Sequence, residues 1–215
     1  MFGQSVAATK EERSRALPGD HAVPGAMGVV MHAVTIDAPP AAVWPWLAQM
    51  GAGRAGWYSY DFVDNDGLPS ATTIIDRLQD IAPGDVMPAL PGANDAFIID
   101  TFEPPSDLLL VVPAASGGNL VSWEFLLEPL GEARTRLLVR ARVARDWPGG
   151  GAGPAPVKRR PIEWVYALLG MMPNAIMRPV ASFGHAIMQR RQLIGIKRRA
   201  ENLCREGRTN DIWMD

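Results

Sequence analysis

Residues 43–61 read VWPWLAQMGAGRAGWYSYD, holding three of the seven tryptophans and two of the three tyrosines. No run of lysines, histidines or carboxylates accompanies them. Trp and Tyr bury large apolar areas yet keep a polar tip that needs a partner. Packed about a glycine-rich turn, they predict the wall or mouth of an apolar cavity. Upstream, Ala38-Pro39-Pro40 opens a helix, since proline suits a first turn where its missing N–H costs nothing. That helix is expected to reach Met50, with Val43, Trp44, Leu47 and Met50 on one side, and to stop at Gly51 and Gly53.

GAGRAG (51–56) has the Gly-x-Gly-x-x-Gly form of a dinucleotide fingerprint. Such a fingerprint follows a strand and opens a helix. Here it follows a helix and precedes aromatics, so a tight helix-to-helix turn that lets Trp57 approach is the expectation. WYSYDFVDN (57–65) is then a second short helix, while residues 71–79 fit helix and strand equally.

On either side lie strand signals. GVVMHAVTID (28–37) is β-branched and alternating, with His32 as a half-exposed strand residue. After residue 67, short apolar runs at 84–90, 95–103, 107–113, 119–129 and 133–146 are separated by turn clusters, which predicts an antiparallel meander. In the last two runs Val121, Trp123, Phe125, Leu127, Leu137, Val139, Ala141 and Val143 share a dry face. Arg134, Arg136, Arg140 and Arg142 form a row on the other, expected to be solvated with Glu124 and Glu128 as cross-strand partners. Residues 1–16 read as a mobile arm or short helix, and LPGD (17–20) as a turn.

WPGGGAGPAPVKRR (147–160) is a Gly/Pro-rich connection. Pro161 opens an apolar helix over 162–172, a break spans Pro173–Pro179, and a long helix follows from about Val180 to Arg205. Its predicted stripe is Phe183, Ala186, Ile187, Leu193, Ile194, Ala200 and Cys204, with Arg190 and Lys197 lying within it and needing water, a partner or a ligand at their polar ends, and His185 on the flank. Residues 164–188 are long enough for a bilayer, but Pro173, Asn174, Arg178 and Pro179 interrupt them, which favours packing on a sheet. Peripheral membrane contact stays open as an alternative.

Composition narrows the classes. A formal net charge of −2 leaves no basic footprint for nucleic acid, and one cysteine excludes a disulfide framework. Without an apolar leader at the N-terminus, a cytoplasmic setting is expected. The histidines His21, His32 and His185 lack metal-ligand spacing. Strand, two short helices, antiparallel strands and a long terminal helix make an α+β order, in which only that helix can cover the sheet's dry face.

These pieces resemble the START-like (SRPBCC) superfamily, in particular its bacterial polyketide-cyclase/dehydrase-like branch. LPGD (17–20), VTIDAPPAAVWPWLAQMG (34–51), GRAGWYSYD (53–61) and GIKRRAEN (195–202) carry the resemblance. It implies a helix-grip fold, a curved antiparallel β-sheet wrapped around a long C-terminal helix. Six strands can be placed where that fold usually has seven. The expected organisation is an arm (1–27), the helix-grip domain (28–206) and a tail (207–215), with 147–179 as an insertion and candidate lid.

The resemblance also implies a cavity for lipids, sterols, polyketides or other aromatics, without a metal or nucleotide cofactor. Two functions follow from it: binding of a small hydrophobic or amphipathic ligand, or a cofactor-independent cyclase or dehydratase. Asp61 and Tyr60 are the catalytic candidates. Arg54, Trp57, Tyr58, Tyr60, Trp123, Phe125, Val139, Phe183 and Ile187 are the ligand-binding candidates. A monomer or homodimer without an integral membrane span is expected.

Overall fold

The structure, a computed structural model, describes residues 6–89, 96–145 and 174–212, with side chains for all of these except 174–183 and 207–212. All six expected strands form: β1 (Gly28–Ile36), β2 (Val86–Pro88), β3 (Ala96–Glu103), β4 (Asp107–Pro113), β5 (Asn119–Pro129) and β6 (Thr135–Val143). They make one antiparallel sheet in the order β1-β6-β5-β4-β3-β2. The helices are α1 (Lys10–Ser14), α2 (Pro40–Ala48), the single turn α3 (Asp61–Asp64) and α4 (Asn174–Ile212). This is a helix-grip α+β fold, with α4 across the sheet's inner face. No helix among the described residues is long and apolar enough to cross a membrane. The connection 147–160 and the apolar helix expected over 162–172 lie outside the described residues, as does most of the candidate lid.

Two expectations about helices are corrected, and one open reading is decided. Only Asp61–Asp64 turns helically within 57–65, because Gly56 and Tyr58 take positive φ values of 79° and 60° that no right-handed helix accepts. Residues 71–79 contribute only a 3-10 turn, Asp76–Leu78. The break expected at Pro173–Pro179 is absent from Asn174 onward, for α4 runs through Pro179. A proline so near the helix start removes one hydrogen bond from its end instead of dividing it.

The stripe that α4 buries is also rotated from the expected one. Gln189, Gln192, Leu193, Ile196, Lys197 and Ala200 are buried, whereas Ile187 is exposed and Ile194 and Cys204 are half-buried. Apolar residues misplace the stripe because two glutamines sit on the inner side with partners; Lys197 is within the stripe as expected, whereas Arg190 is exposed. Lys197 donates to the Thr35 carbonyl at 2.7 Å and pairs with Glu201. Gly195 makes the helix's closest approach: a Cβ there would stand 2.3 Å from the Tyr58 carbonyl oxygen.

The outer face is not solvated as expected. The arm packs across it from Val6 onward. Residue 6 accepts a hydrogen bond from the Ala33 N–H at 3.1 Å, and Ala8 buries against Ala33 and Leu138. Helix α1 is closed by a capping box between Thr9 and Glu12. Glu12 then pairs with Arg136 at 2.8 Å, and Asp20 pairs with both Arg140 at 2.8 Å and Arg142 at 3.2 Å. The arginine row therefore finds its partners on the arm. Cross-strand register does set Glu124 opposite Arg140 and Glu128 opposite Arg136, but Glu128 pairs with Arg15.

Glu124 is buried at 2% exposure and accepts the Gly19 N–H at 2.8 Å. A Cβ at Gly19 would meet Leu109 Cδ1 at 2.7 Å, so a side chain there would have to displace it. Burial pushes the Glu124 carboxyl up to about 7 from 4.5. Between those values the folded chain holds a proton that the unfolded chain has released, so the residue's contribution to stability falls as pH rises through about 7. Asp64 and Asp107 act in the same sense, His185 in the opposite one.

The discriminating measurement is thus a difference. Glu124→Gln, neutral at every pH, should gain stability relative to the wild type by about 1–3 kcal/mol between pH 5 and pH 8. Urea midpoints at each pH check this, and a difference independent of pH would refute the buried, proton-holding carboxyl. A second substitution tests the seat of α4. Helix propensity alone makes Gly195→Ala stabilising by about 1 kcal/mol. The contact with Tyr58 predicts the reverse sign, a loss of about 2–4 kcal/mol from overpacking, in the same unfolding assay.

Candidate functional site

The site is built on the loop that follows α2. Gly51 and Gly56 close it as a small antiparallel bridge, with Gly56 N–H to Gly51 O at 3.0 Å and the reciprocal bond at 3.2 Å. Arg54 folds back over the end of α2 and donates from Nε to the Met50 carbonyl at 2.9 Å and from Nη2 to that of Ala48 at 3.0 Å. It thereby satisfies carbonyls that a helix end leaves open. Gly56 has no room for a side chain, since a Cβ would lie 2.3 Å from Ser70 Oγ. That hydroxyl accepts the Tyr58 N–H at 3.1 Å and donates to Asp61 Oδ1. The glycines therefore serve a turn, as their context predicts.

Tyr58 is held on every side. Its hydroxyl accepts from Gln49 Nε2 at 3.0 Å, the Arg199 guanidinium lies 4.5 Å from its ring centroid, and Trp46 meets it edge-on at 6.0 Å. Burial raises its pKa well above the ordinary tyrosine value. The next tryptophan, Trp57, donates from Nε1 to the carbonyls of Pro88 and Ala89, both at 3.1 Å. Its ring faces the inner side of the sheet.

There the rings form a connected group. Trp123 lies 5.3 Å from Trp57, 5.0 Å from Phe97 and 4.9 Å from Phe125, and Phe97 closes the triangle at 5.7 Å from Trp57. Trp123 Nε1 donates to Gln189 Oε1 at 3.0 Å, and Gln189 Nε2 donates to Gln192 Oε1 at 2.7 Å. A short polar thread thus crosses from sheet to helix. His185 of α4 sits 6.3 Å from Trp123 and 6.2 Å from His32 of β1. Burial pushes His185 down to about 4, with the neighbouring His32 adding to it. His32 is lowered as well, by burial and then by Arg13.

Cover of the inner face falls steadily along the strands. The row Leu127–Leu137–Val34 is fully buried. The next, Leu108–Phe125–Val139, is buried and ends on half-buried His32. In the third, Leu110 and Ala141 are buried while Trp123 and Val30 are half-buried. In the fourth, Val112, Val121, Val143 and Gly28 are all half-buried. Among the described residues, one end of the inner face is fully buried and the other half-buried.

The sequence candidates separate accordingly. Trp57, Trp123, Phe125 and Val139 come together on the inner face. Tyr58 packs beside α4, and Arg54 is spent on the end of α2. Tyr60 is 43% exposed, with Arg191 5.9 Å above its ring, and Asp61 is engaged by Ser70. Ile187 points outward and the Phe183 side chain lies outside the described residues. Sequence reading missed Phe97, Gln189 and the inward pair His32 and His185. The flank expected for His185 is corrected: His185, Gln189, Gln192 and Ile196 recur at helical spacing on the inner side, a polar signal that a search for apolar stripes passes over.

Asp64 was also missed. It is buried at 3% exposure, and its carboxyl oxygens have no hydrogen bond among the described residues. Burial, with Asp61 nearby, raises it to about 7. It lies on α3 with Asp61, and no group of three or more metal-ligating side chains forms among the described residues.

No protein-family model matches the chain, and no curated protein matches it. Solved structures do. One from Thermobifida fusca is 12% identical with a TM-score of 0.46, covering 82% of this chain and 95% of its own. The polyketide-cyclase-like protein Cgl2372 from Corynebacterium glutamicum is 15% identical with a TM-score of 0.39, over 82% and 92%. The Zhui aromatase/cyclase from Streptomyces sp. R1128 is 15% identical with a TM-score of 0.36, over 81% and 93%. The fold class rests on this chain's own strand order, register and terminal helix.

Proposed function

We propose that this chain binds a small hydrophobic or amphipathic molecule between the inner sheet face and α4, at the half-buried end of that face. The observation that supports this most is the gradient of cover, from the closed Leu127–Leu137–Val34 row to the half-buried rows beyond Trp123. A guest seated there would complete the cover of those apolar residues. Ligand pockets combine an apolar lining with a few placed polar groups. Trp57, Phe97 and Trp123 supply the first, and the histidines and Gln189 the second. The class of guest, a lipid, polyketide or other aromatic, comes from the motif resemblance. The cyclase or dehydratase reading through Asp61 and Tyr60 has weaker support, since one is tied into a turn and the other is exposed beside Arg191.

Tryptophan emission titrated with naphthalene tests the proposal. Saturable quenching at one site per chain is expected, and Trp123→Ala should weaken it about 10–100-fold, the equivalent of losing roughly 1.5–3 kcal/mol of ring burial. Quenching that fails to saturate, or is unchanged in Trp123→Ala, would remove the proposed site.

A further inference from the structure

We infer that the guest carries an uncharged hydroxyl or carbonyl oxygen, held between His32 and His185 while its planar apolar body lies against Trp123. The inference rests on the binding reading above and adds the polar half of recognition to it. The two imidazoles reach the same place from different elements. His32 stands in register with Val139 on the edge strand β1, at the boundary between the closed and the half-buried rows. His185 stands on α4, with its ring centroid 6.2 Å from that of His32 and their planes 56° apart.

At that separation two ring nitrogens approach no closer than about 3.8 Å, beyond the roughly 3.2 Å limit of a hydrogen bond. They therefore cannot satisfy each other, and neither side chain has a hydrogen bond to a described residue. A single oxygen atom can bridge the two with each contact near 2.8 Å when the nitrogens facing it stand about 4–5.5 Å apart, a span that this centroid separation permits. Both rings are surrounded so that the neutral form prevails: burial lowers each, Arg13 adds to this at His32, and His32 adds to it at His185, which falls to about 4. A neutral imidazole offers one donor and one acceptor. Two of them match a hydroxyl, which gives one hydrogen bond and takes one, or a carbonyl, which takes two. Neither neutral ring offers the opposite charge from which a carboxylate or an ammonium gains most. The other polar group at the rings, Gln189, is already engaged by Trp123 and Gln192, which leaves the histidine pair to read the guest's polar end.

Three probes of one shape test this on the full chain at pH 7.5: naphthalene, 2-naphthol and 2-naphthoate, each followed by tryptophan quenching. 2-Naphthol should bind about 3–10-fold tighter than naphthalene, the worth of a net hydrogen bond, and 2-naphthoate the most weakly. His185→Phe should bring the naphthol-to-naphthalene ratio close to one, and His32→Phe repeats the test should the first variant fail to fold. Equal binding of naphthol and naphthalene overturns the inference and leaves the binding reading standing, as does tightest binding of naphthoate. A preference for naphthol that survives in either folded variant overturns it too. Failure of all three probes to bind overturns the binding reading itself, and this inference with it.

Discussion

One face of a six-stranded antiparallel sheet is apolar, and among the described residues α4, α2 and the loop carrying Trp57 are set against it. These elements cover the rows of the face unevenly. Where Gly195 lets α4 settle against Tyr58, the cover is complete: Leu193, Ile196 and Ala200 meet the rows around Leu137 and Leu127. Away from that seat the rows become half-buried. The position of one glycine thus helps decide which end of the grip is a core and which is available to a guest. Substituting any side chain there would force the helix away from the loop, whatever its helix propensity.

The outer face is governed by charge. Arg140 is 3% exposed, a burial that is tolerable because Asp20 and the Arg15 and Glu12 carbonyls surround it. Taking a guanidinium out of water costs several kcal/mol unless partners replace the lost solvation. The arm supplies those partners and in turn gains a fixed path. It also shuts Glu124 away from water, where the neutral carboxyl is the cheaper form. The two faces of the sheet therefore differ in kind: the outer one is sealed by ion pairs and apolar contacts with the arm, the inner one by helices and a loop that cover it unevenly.

Polar groups on the inner side are few and largely neutral. Gln189 and Gln192 bridge Trp123 to Met50, and the two histidines stand where cover begins to fail. Such groups cost little to bury when paired and confer direction on an otherwise non-directional surface. The loop that carries Trp57 contributes rigidity more than chemistry. Arg54, Tyr58, Asp61 and Ser70 spend their hydrogen-bonding capacity on holding Trp57 against Phe97 and Trp123, which is why the residues that look most reactive in the sequence are the least free in the fold.

Much of the fold was legible from local patterns. The alternation through Val121, Trp123, Phe125 and Leu127 fixes a strand and its inner face because successive side chains point to opposite sides. The Ala38-Pro39-Pro40 start and the glycines after Gln49 bound α2, and the context of GAGRAG was enough to make it a turn. What sequence alone left undecided depends on contacts between distant segments. Nothing local in KEERSR or LPGD says that Glu12 and Asp20 will meet arginines more than a hundred positions away. The inward face of α4 is likewise set by Gly195 against Tyr58 and by Gln189 against Trp123, not by where apolar residues repeat. Periodicity reports which side of an element can be buried. Which side is buried follows from shape and pairing across the sheet, and those exist only once the chain has folded.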